Sequence, residues 1–354
     1  MQDTVLQQDM LACAAYLDKA GFLESLRGKT VFLTGATGLI GSQLARTLLA
    51  ANAQFGADIH VVAFIRNEQK AQTVFKDVLP NEHLEFIVGD LSFPIIYDRP
   101  VDYVIHGASA TGSKFFVESP VETIRIALYG TDRVLEFARD KQVSGMVYLS
   151  SLEVYGVPDG SRDTISEKDY GYIDPLSVRS SYSEGKRMVE CLCASYASEY
   201  GVPVKIARLS QTFGAGVEYN DGRVFAEFAR CLMEKRDIVL HTDGSTVRTY
   251  CYTADAIAAL YTILLRGENG AAYNVTNMDT ACSIREMAEL VAGLEPEAGV
   301  KVRVEIPENL ASFGYNPQMV IKLDTAALEA LGFTPSVGME DMFKRTIRSL
   351  RERI

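Results

Sequence analysis

The chain has 354 residues, with 35 basic against 46 acidic side chains and a net charge of −11. With 47% hydrophobic and 23% charged residues it has the composition of a folded globular protein, which excludes a disordered, collagen-like or disulfide-stapled chain. An acidic surface repels phosphate backbones, so a nucleic-acid partner is disfavoured.

Residues 1–28 read as a leading helical extension, with Leu6, Met10, Ala14, Leu17 and Phe22 near helical spacing. No Lys or Arg precedes Lys19, the reverse of a signal peptide's basic start, and the apolar stretch 11–17 is too short to span a bilayer. A soluble, cytoplasmic protein with no membrane partner is expected. From Thr30 the pattern turns into alternating strands and helices. Strands are predicted over 30–34, 59–65, 84–88, 103–106 and 145–149, with helices over 43–53 and 123–140. Their short continuous apolar runs, rather than alternating ones, fit burial on both faces. The expected fold class is therefore α/β, a Rossmann-type doubly wound parallel sheet covered by helices on both sides.

Beyond residue 175 the rhythm loosens. Helices are predicted over 181–199, 224–235, 253–265, 284–292 and 325–331, and strands over 204–207 and 300–304. No linker or repeat divides the chain. The expected organisation is a nucleotide-binding domain over 29–205 and a smaller α/β substrate-binding lobe over 206–354, interleaved with the first domain.

The segment Thr34-Gly35-Ala36-Thr37-Gly38-Leu39-Ile40-Gly41 lies between the first strand and the first helix of the alternating region. Glycines there permit a tight turn, close approach to a pyrophosphate, and close helix–strand packing. The helix end beyond them offers free N–H groups and partial positive charge. Gly35, Thr37, Gly38, Leu39, Ile40 and Gly41 are thus candidates to bind a dinucleotide. The second strand ends at Arg66-Asn67, where an acidic residue would hold the 2′-hydroxyl of NAD. An arginine there can pair with a 2′-phosphate, so NAD(P) is expected with a lean toward NADP. Asp90-Leu91 follows the third strand and is placed to contact the adenine; Asp90 serves either that purpose or a turn.

Tyr182 and Lys186 are four residues apart in a predicted helix, which sets both side chains on one face. A lysine so placed can lower the tyrosine pKa and hold the cofactor ribose. The tyrosine can then take a proton from a substrate hydroxyl as hydride leaves. Ser151, at the carboxyl end of the fifth strand, can bond the same oxygen.

At these residues the chain resembles the extended short-chain dehydrogenase/reductase family, the nucleotide-sugar epimerases and dehydratases. The carriers are TGATGLIG (34–41), GDL (89–91), HGAS (106–109), SSLEVYG (150–156), YSEGK (182–186) and RTYCYTADA (248–256). The resemblance implies a Ser151–Tyr182–Lys186 set, oxidation at the sugar's C4, Gly107, Ala108 and Ser109 beside the cofactor, and a homodimer. Within the family the segments around 180–190 and 220–224 look most like UDP-glucuronate decarboxylases, in which the position of Glu153 acts near the proton-transfer step. Glu153 is then a proton shuttle, or a carboxylate that orders its loop. On the substrate side the resemblance points to Thr111, Lys114, Gln211, Arg223 and Arg248. The two arginines would grip a diphosphate or form surface ion pairs, and Lys114 would reach the sugar or stay solvated.

Departures from the pattern bear on the reaction. Leu152 stands where a dehydratase has an acid, the 111–116 segment lacks the decarboxylase SPP pattern, and Gln211 replaces the usual asparagine. The expected function is a nucleotide-sugar epimerase, dehydratase or decarboxylase acting on a UDP-sugar. The alternatives are an NADPH-dependent 4-ketoreductase of a nucleotide-activated keto sugar, or a non-catalytic NAD(P)-sensing regulator. His106 reads as a wall or core residue and Tyr155 as packing. His60, His83, His106 and His241 show no HExxH, and the six cysteines no CxxC, so no metal centre and no disulfide are expected.

Overall fold

A computed structural model describes residues 3–110, 112–306 and 319–354. Asp3 caps the first helix, α1 (Thr4–Lys19), by accepting from the Leu6 N–H. The leading extension is not one helix: Gly21, at φ +75°, breaks it, and α2 (Phe22–Leu26) follows. The alternating region runs β1 (Thr30–Thr34), α3 (Leu39–Phe55), β2 (His60–Ile65), α4 (Glu68–Val74), β3 (Leu84–Val88), β4 (Tyr103–His106), α5 (Ser113–Glu118), α6 (Pro120–Asp140) and β5 (Gly145–Ser151). A 3-10 turn, Leu152–Tyr155, leads on to α7 (Ser180–Tyr200) and β6 (Val204–Leu209). Then come β7 (Gln211–Phe213), α8 (Val224–Met233), β8 (Ile238–Leu240), β9 (Val247–Tyr252), α9 (Thr253–Arg266), β10 (Ala272–Val275) and β11 (Asn277–Ser283). The rest comprises α10 (Ile284–Gly293), β12 (Val302–Val304), β13 (Val320–Ile321), α11 (Ala326–Ala330) and α12 (Met339–Arg353).

Seven parallel strands form the main sheet in the order β10-β6-β5-β4-β1-β2-β3. Alternate residues of β1 enter different cores. Val31 and Leu33 pack with α1, α3 and α9, while Phe32 packs with Val134, Leu135 and Val189 of α6 and α7. Both faces of each strand are thus covered, which explains its unbroken apolar run. The division expected at 205/206 passes through β6, and β10 joins the same sheet from beyond it.

The second lobe gathers around Phe213, Phe225, Phe228, Tyr250, Met287 and Phe343. Its backbone pairs are β11–β9–β13, with β7 added to β9, and β12–β8. The first and last helices are tied together by the Ser349 hydroxyl on Asp3 (2.5 Å) and Thr4 on Glu352 (2.7 Å). Asp9 of α1 accepts from Tyr252 at 2.5 Å, and burial pushes its carboxyl up to about 6.

Candidate active site

Strand order reverses between β1 and β4, and a crevice opens there at the carboxyl ends of the strands. The cleft, of about 1300 Å³, runs from the glycine loop past Ser151 and Tyr182 to Arg248. Gly35 holds φ at +69°, and a Cβ on it would lie 2.6 Å from the Gly107 carbonyl carbon. A Cβ on Gly41 would meet the Gly35 carbonyl oxygen at 2.2 Å. The Gly38 N–H closes the turn on Gly35 O (3.0 Å), and α3 begins with no side chain capping it. Gly38, Leu39, Ile40 and Gly41 line the cleft. An uncapped, positive helix end facing a crevice fits a pyrophosphate. Gly41→Ala forces two backbone segments apart and is expected to weaken NADH or NADPH binding by about 10–100-fold, read by fluorescence titration.

His106 fastens this loop to the sheet. The Thr131 hydroxyl donates to Ala127 O (2.7 Å), so His106 Nε2–H donates to Thr131 (3.0 Å). Nδ1 then accepts from Thr34 (2.6 Å), whose oxygen also takes the Ala108 N–H (3.2 Å). Burial, then the charge of Lys186, lowers His106 to about 3. It stays neutral, buried beneath the loop rather than lining the cleft.

Ser151 ends β5, and one turn of α7 separates Tyr182 from Lys186. Ser151 Oγ accepts the Glu153 N–H (3.2 Å) and lies close enough to the Tyr182 phenol to pull its pKa downward. The tyrosine ring stacks on Phe116, with centroids 4.2 Å apart. Lys186 is buried; its ammonium donates to Leu149 O (2.8 Å), and lies 4.6 Å from the Tyr148 centroid and 5.7 Å from that of Tyr182. The expectation that Lys186 lowers the phenol pKa is corrected here. Tyr182 is raised to about 12, first by burial and then by Glu153, against the opposing pull of Ser151 and Arg179. Lys186 itself falls to about 8, because burial penalises its charge more than Glu190 supports it.

Glu153 is held by Arg179 through two bonds (2.8 and 3.1 Å) and by the Ser183 hydroxyl (3.0 Å). Its negative charge opposes the phenolate. Glu153→Gln removes that charge and leaves the Arg179 cation unopposed, so the Tyr182 pKa should fall. The expected result is an ascending, acid-side limb of the kcat/KM–pH profile displaced toward lower pH, whatever the change in amplitude.

The remaining candidates divide by location. Lys114, Ser109, Gln211, Arg223 and Arg248 line the cleft with Ser151, Tyr182 and Lys186. Lys114 is exposed and pairs with Glu118 at 3.5 Å. Arg223 is bound to Asp221 at 2.6 Å. Arg248 has a buried Nε without a hydrogen-bond partner among the described residues. Arg66 and Asn67 are exposed beyond β2, and the Asn67 side chain caps α4 by accepting from Lys70 N–H (2.9 Å). Asp90 makes a turn with Ser92 (2.8 Å), which holds its carboxyl below the ordinary range. Leu91 packs beside Gly130. Thr111 lies outside the described residues.

Residues 31–277 match the family described as NAD dependent epimerase/dehydratase. The chain belongs to that family. It is 28% identical to UDP-glucuronic acid decarboxylase 1 of Danio rerio over 328 residues, 92% of this chain and 74% of the relative. Identity to UDP-glucuronic acid decarboxylase 6 of Arabidopsis thaliana is 29% over 315 residues, 88% and 85% of the two chains. The fold matches DesIV, a dTDP-glucose 4,6-dehydratase from Streptomyces venezuelae with NAD and TYD bound (TM-score 0.74, 24% identity, 91% and 97% covered). It also matches the UDP-glucuronic acid 4-epimerase of Bacillus cereus in complex with NAD (TM-score 0.72, 21% identity, 92% and 99% covered).

Sequence reasoning about this epimerase/dehydratase family member missed Arg179, Glu190 and Arg208. Arg179 sits one helical turn before Tyr182, a spacing that could have marked it. Glu190, one turn beyond Lys186, bonds both Ser150 (2.6 Å) and Arg208 (2.6 Å) beneath the site. No helix among the described residues is long and apolar enough to cross a membrane.

Proposed function

We propose that this chain oxidises the C4 hydroxyl of a UDP-sugar, with Tyr182 as the base that receives the hydroxyl proton. The reading is carried by one observation: Ser151, Tyr182 and Lys186 line the same cleft as the open N-terminus of α3. The helix end would hold the pyrophosphate of NAD(P), Asp90 and Leu91 would lie toward the adenine, and Lys186 would hold the nicotinamide ribose. Arg66 is the residue for a 2′-phosphate, if NADP is the form used. When bound, the nicotinamide supplies a hydride acceptor.

The chain's own side chains handle the protons. Ser151 bonds the reacting oxygen and the phenol together, and Tyr182 accepts the proton. Arg248, with its unsatisfied Nε, and Arg223 would bind the diphosphate, with Gln211 and Lys114 toward the sugar. Oxidation at C4 acidifies neighbouring positions and loosens a C5 carboxylate, which permits epimerisation or decarboxylation. Leu152 is buried among Val154, Ile165 and Leu323 and carries no proton to give, which speaks against 4,6-dehydration. The proposed assembly is a homodimer through α6 and α7, which pack together and expose Val121, Ile124, Tyr129 and Met188.

The test is to denature the purified protein, identify any released nucleotide by mass spectrometry, and follow UDP-glucuronate and UDP-glucose by NMR. Bound NAD+ or NADP+ together with a new sugar nucleotide is the expected result. A protein that is purified empty and oxidises NADPH only with a 4-keto sugar nucleotide would establish the ketoreductase, the second reading that Arg66 and Leu152 favour. Absence of hydride transfer with every sugar nucleotide would overturn both.

A further inference from the structure

At the opposite edge of the sheet, the amino-terminal ends of β2 and β3 bring together three side chains that the nucleotide-sugar site does not use. We propose that Asp58, His60 and His83 form a binding site for a zinc-class divalent cation, which clasps the α3–β2 turn to the turn entering β3.

The placement follows from strand register. Val61 pairs with Leu84 in the parallel β2–β3 ladder, and the Val61 N–H donates to His83 O (2.8 Å). His60 and His83, each one residue earlier, are therefore neighbours on one side of the sheet edge. Their ring centroids are 5.5 Å apart. Asp58, at φ +54° in the preceding turn, places Oδ1 at 3.7 Å from His83 Nδ1 and 4.0 Å from His60 Nε2. All three ligand atoms lie within 4.8 Å of one another. Zinc takes nitrogen at about 2.0–2.1 Å and oxygen at about 2.0–2.2 Å, so tetrahedral ligands are spaced by about 3.4 Å. Small side-chain rotations close the difference.

A second observation points to a cation at this spot. His83 Nδ1 is buried and has no hydrogen-bond partner among the described residues. A buried, unpaired ring nitrogen is costly, and a metal ion would satisfy it. The other nitrogen, Nε2, faces Glu82 Oε1 at 3.7 Å. With Nδ1 on a metal, Nε2–H is left to donate to that carboxylate, an arrangement that orients metal-bound imidazoles. Two imidazoles and one carboxylate suit zinc, cobalt, nickel or copper rather than calcium or magnesium, and leave a position for water. Residue spacing along the chain does not reveal the trio, because it is assembled by register.

The six residues of β2 separate this edge from the cofactor cleft by about 20 Å. The bound ion should therefore act on stability and leave sugar-nucleotide turnover unchanged. The test uses the untagged full chain titrated with Co2+, followed by visible absorption, with Zn2+ as competitor and thermal melting as a second readout. One Co2+ per chain with a tetrahedral spectrum, displaced by Zn2+, is expected. So are a Tm raised by Zn2+ and a loss of about 100-fold in affinity in His60→Ala/His83→Ala. That variant changes only residues at the sheet edge, and retained circular dichroism verifies its fold. No cobalt spectrum would mean an electrostatic cluster only. A spectrum or a Tm rise that persists in the double variant would place the metal elsewhere, and either result overturns the site.

Discussion

Tyr182→Phe is expected to lower kcat by about 10²–10⁴-fold toward whichever sugar nucleotide the wild type turns over, while cofactor affinity stays within a few-fold. The substitution removes one oxygen and keeps the ring that Phe116 covers. It takes away the phenol proposed to carry a proton off the sugar. The nucleotide-binding loop is untouched, because Gly35, Gly38 and Gly41 are fixed by backbone contacts and by the His106–Thr34 clamp. Loss of the phenol takes a polar neighbour from the Ser151 hydroxyl, and the folding cost should be at most about 1 kcal/mol. Steady-state kinetics with a denaturation midpoint separates the effects: chemistry collapses and the midpoint barely moves. Turnover near the wild-type rate would remove Tyr182 from the reaction and, with it, the proposed C4 oxidation.

The parts legible in the sequence and the parts hidden from it differ for physical reasons. β1, β3 and β4 coincide with the predicted runs because each residue between their ends is apolar or half-buried, and glycine or polar residues stop them. The pairing of Tyr182 with Lys186 is legible because a helix converts a spacing of four into a shared face. By contrast β7, β8 and β13 are two or three residues long, too short for any periodic signal. α12 is rich in charge, and its apolar stripe of Met342, Phe343, Ile347 and Leu350 was overlooked. Pairs made by tertiary contact left no mark at all. Nothing along the chain says that Arg179 holds Glu153, or that the phenol's neighbour is a carboxylate and not the Lys186 ammonium. The direction of the Tyr182 shift was misread for that reason.

The largest loss of stability is expected from Arg208→Met. Arg208 extends from β6 with 1% of its surface exposed. Its guanidinium bonds Glu190 Oε1 at 3.0 Å and Oε2 at 2.6 Å, the Tyr155 hydroxyl at 2.9 Å, Glu167 O at 2.8 Å and the Tyr170 hydroxyl at 2.5 Å. Burial opposes the charge, yet the bonds from Glu190 and Tyr155 more than offset it, and the guanidinium is held above its ordinary pKa. Methionine fills much of the volume but leaves Glu190 as a buried anion whose remaining hydrogen-bond donor among the described residues is the Ser150 hydroxyl, with the Lys186 charge nearby. Breaking a buried pair in this way costs about 3–5 kcal/mol, most of it from the stranded partner. The double variant Arg208→Met/Glu190→Leu removes both charges and should recover a large part of the loss. Urea denaturation of the two variants therefore distinguishes charge from packing. A double variant as unstable as the single one would show that Arg208 matters through the loop contacts to Tyr155, Glu167 and Tyr170. In the expected case the pair serves less as net stabilisation than as a fixed polar mount, since Glu190 holds Ser150 beside Ser151 and lies one turn from Lys186.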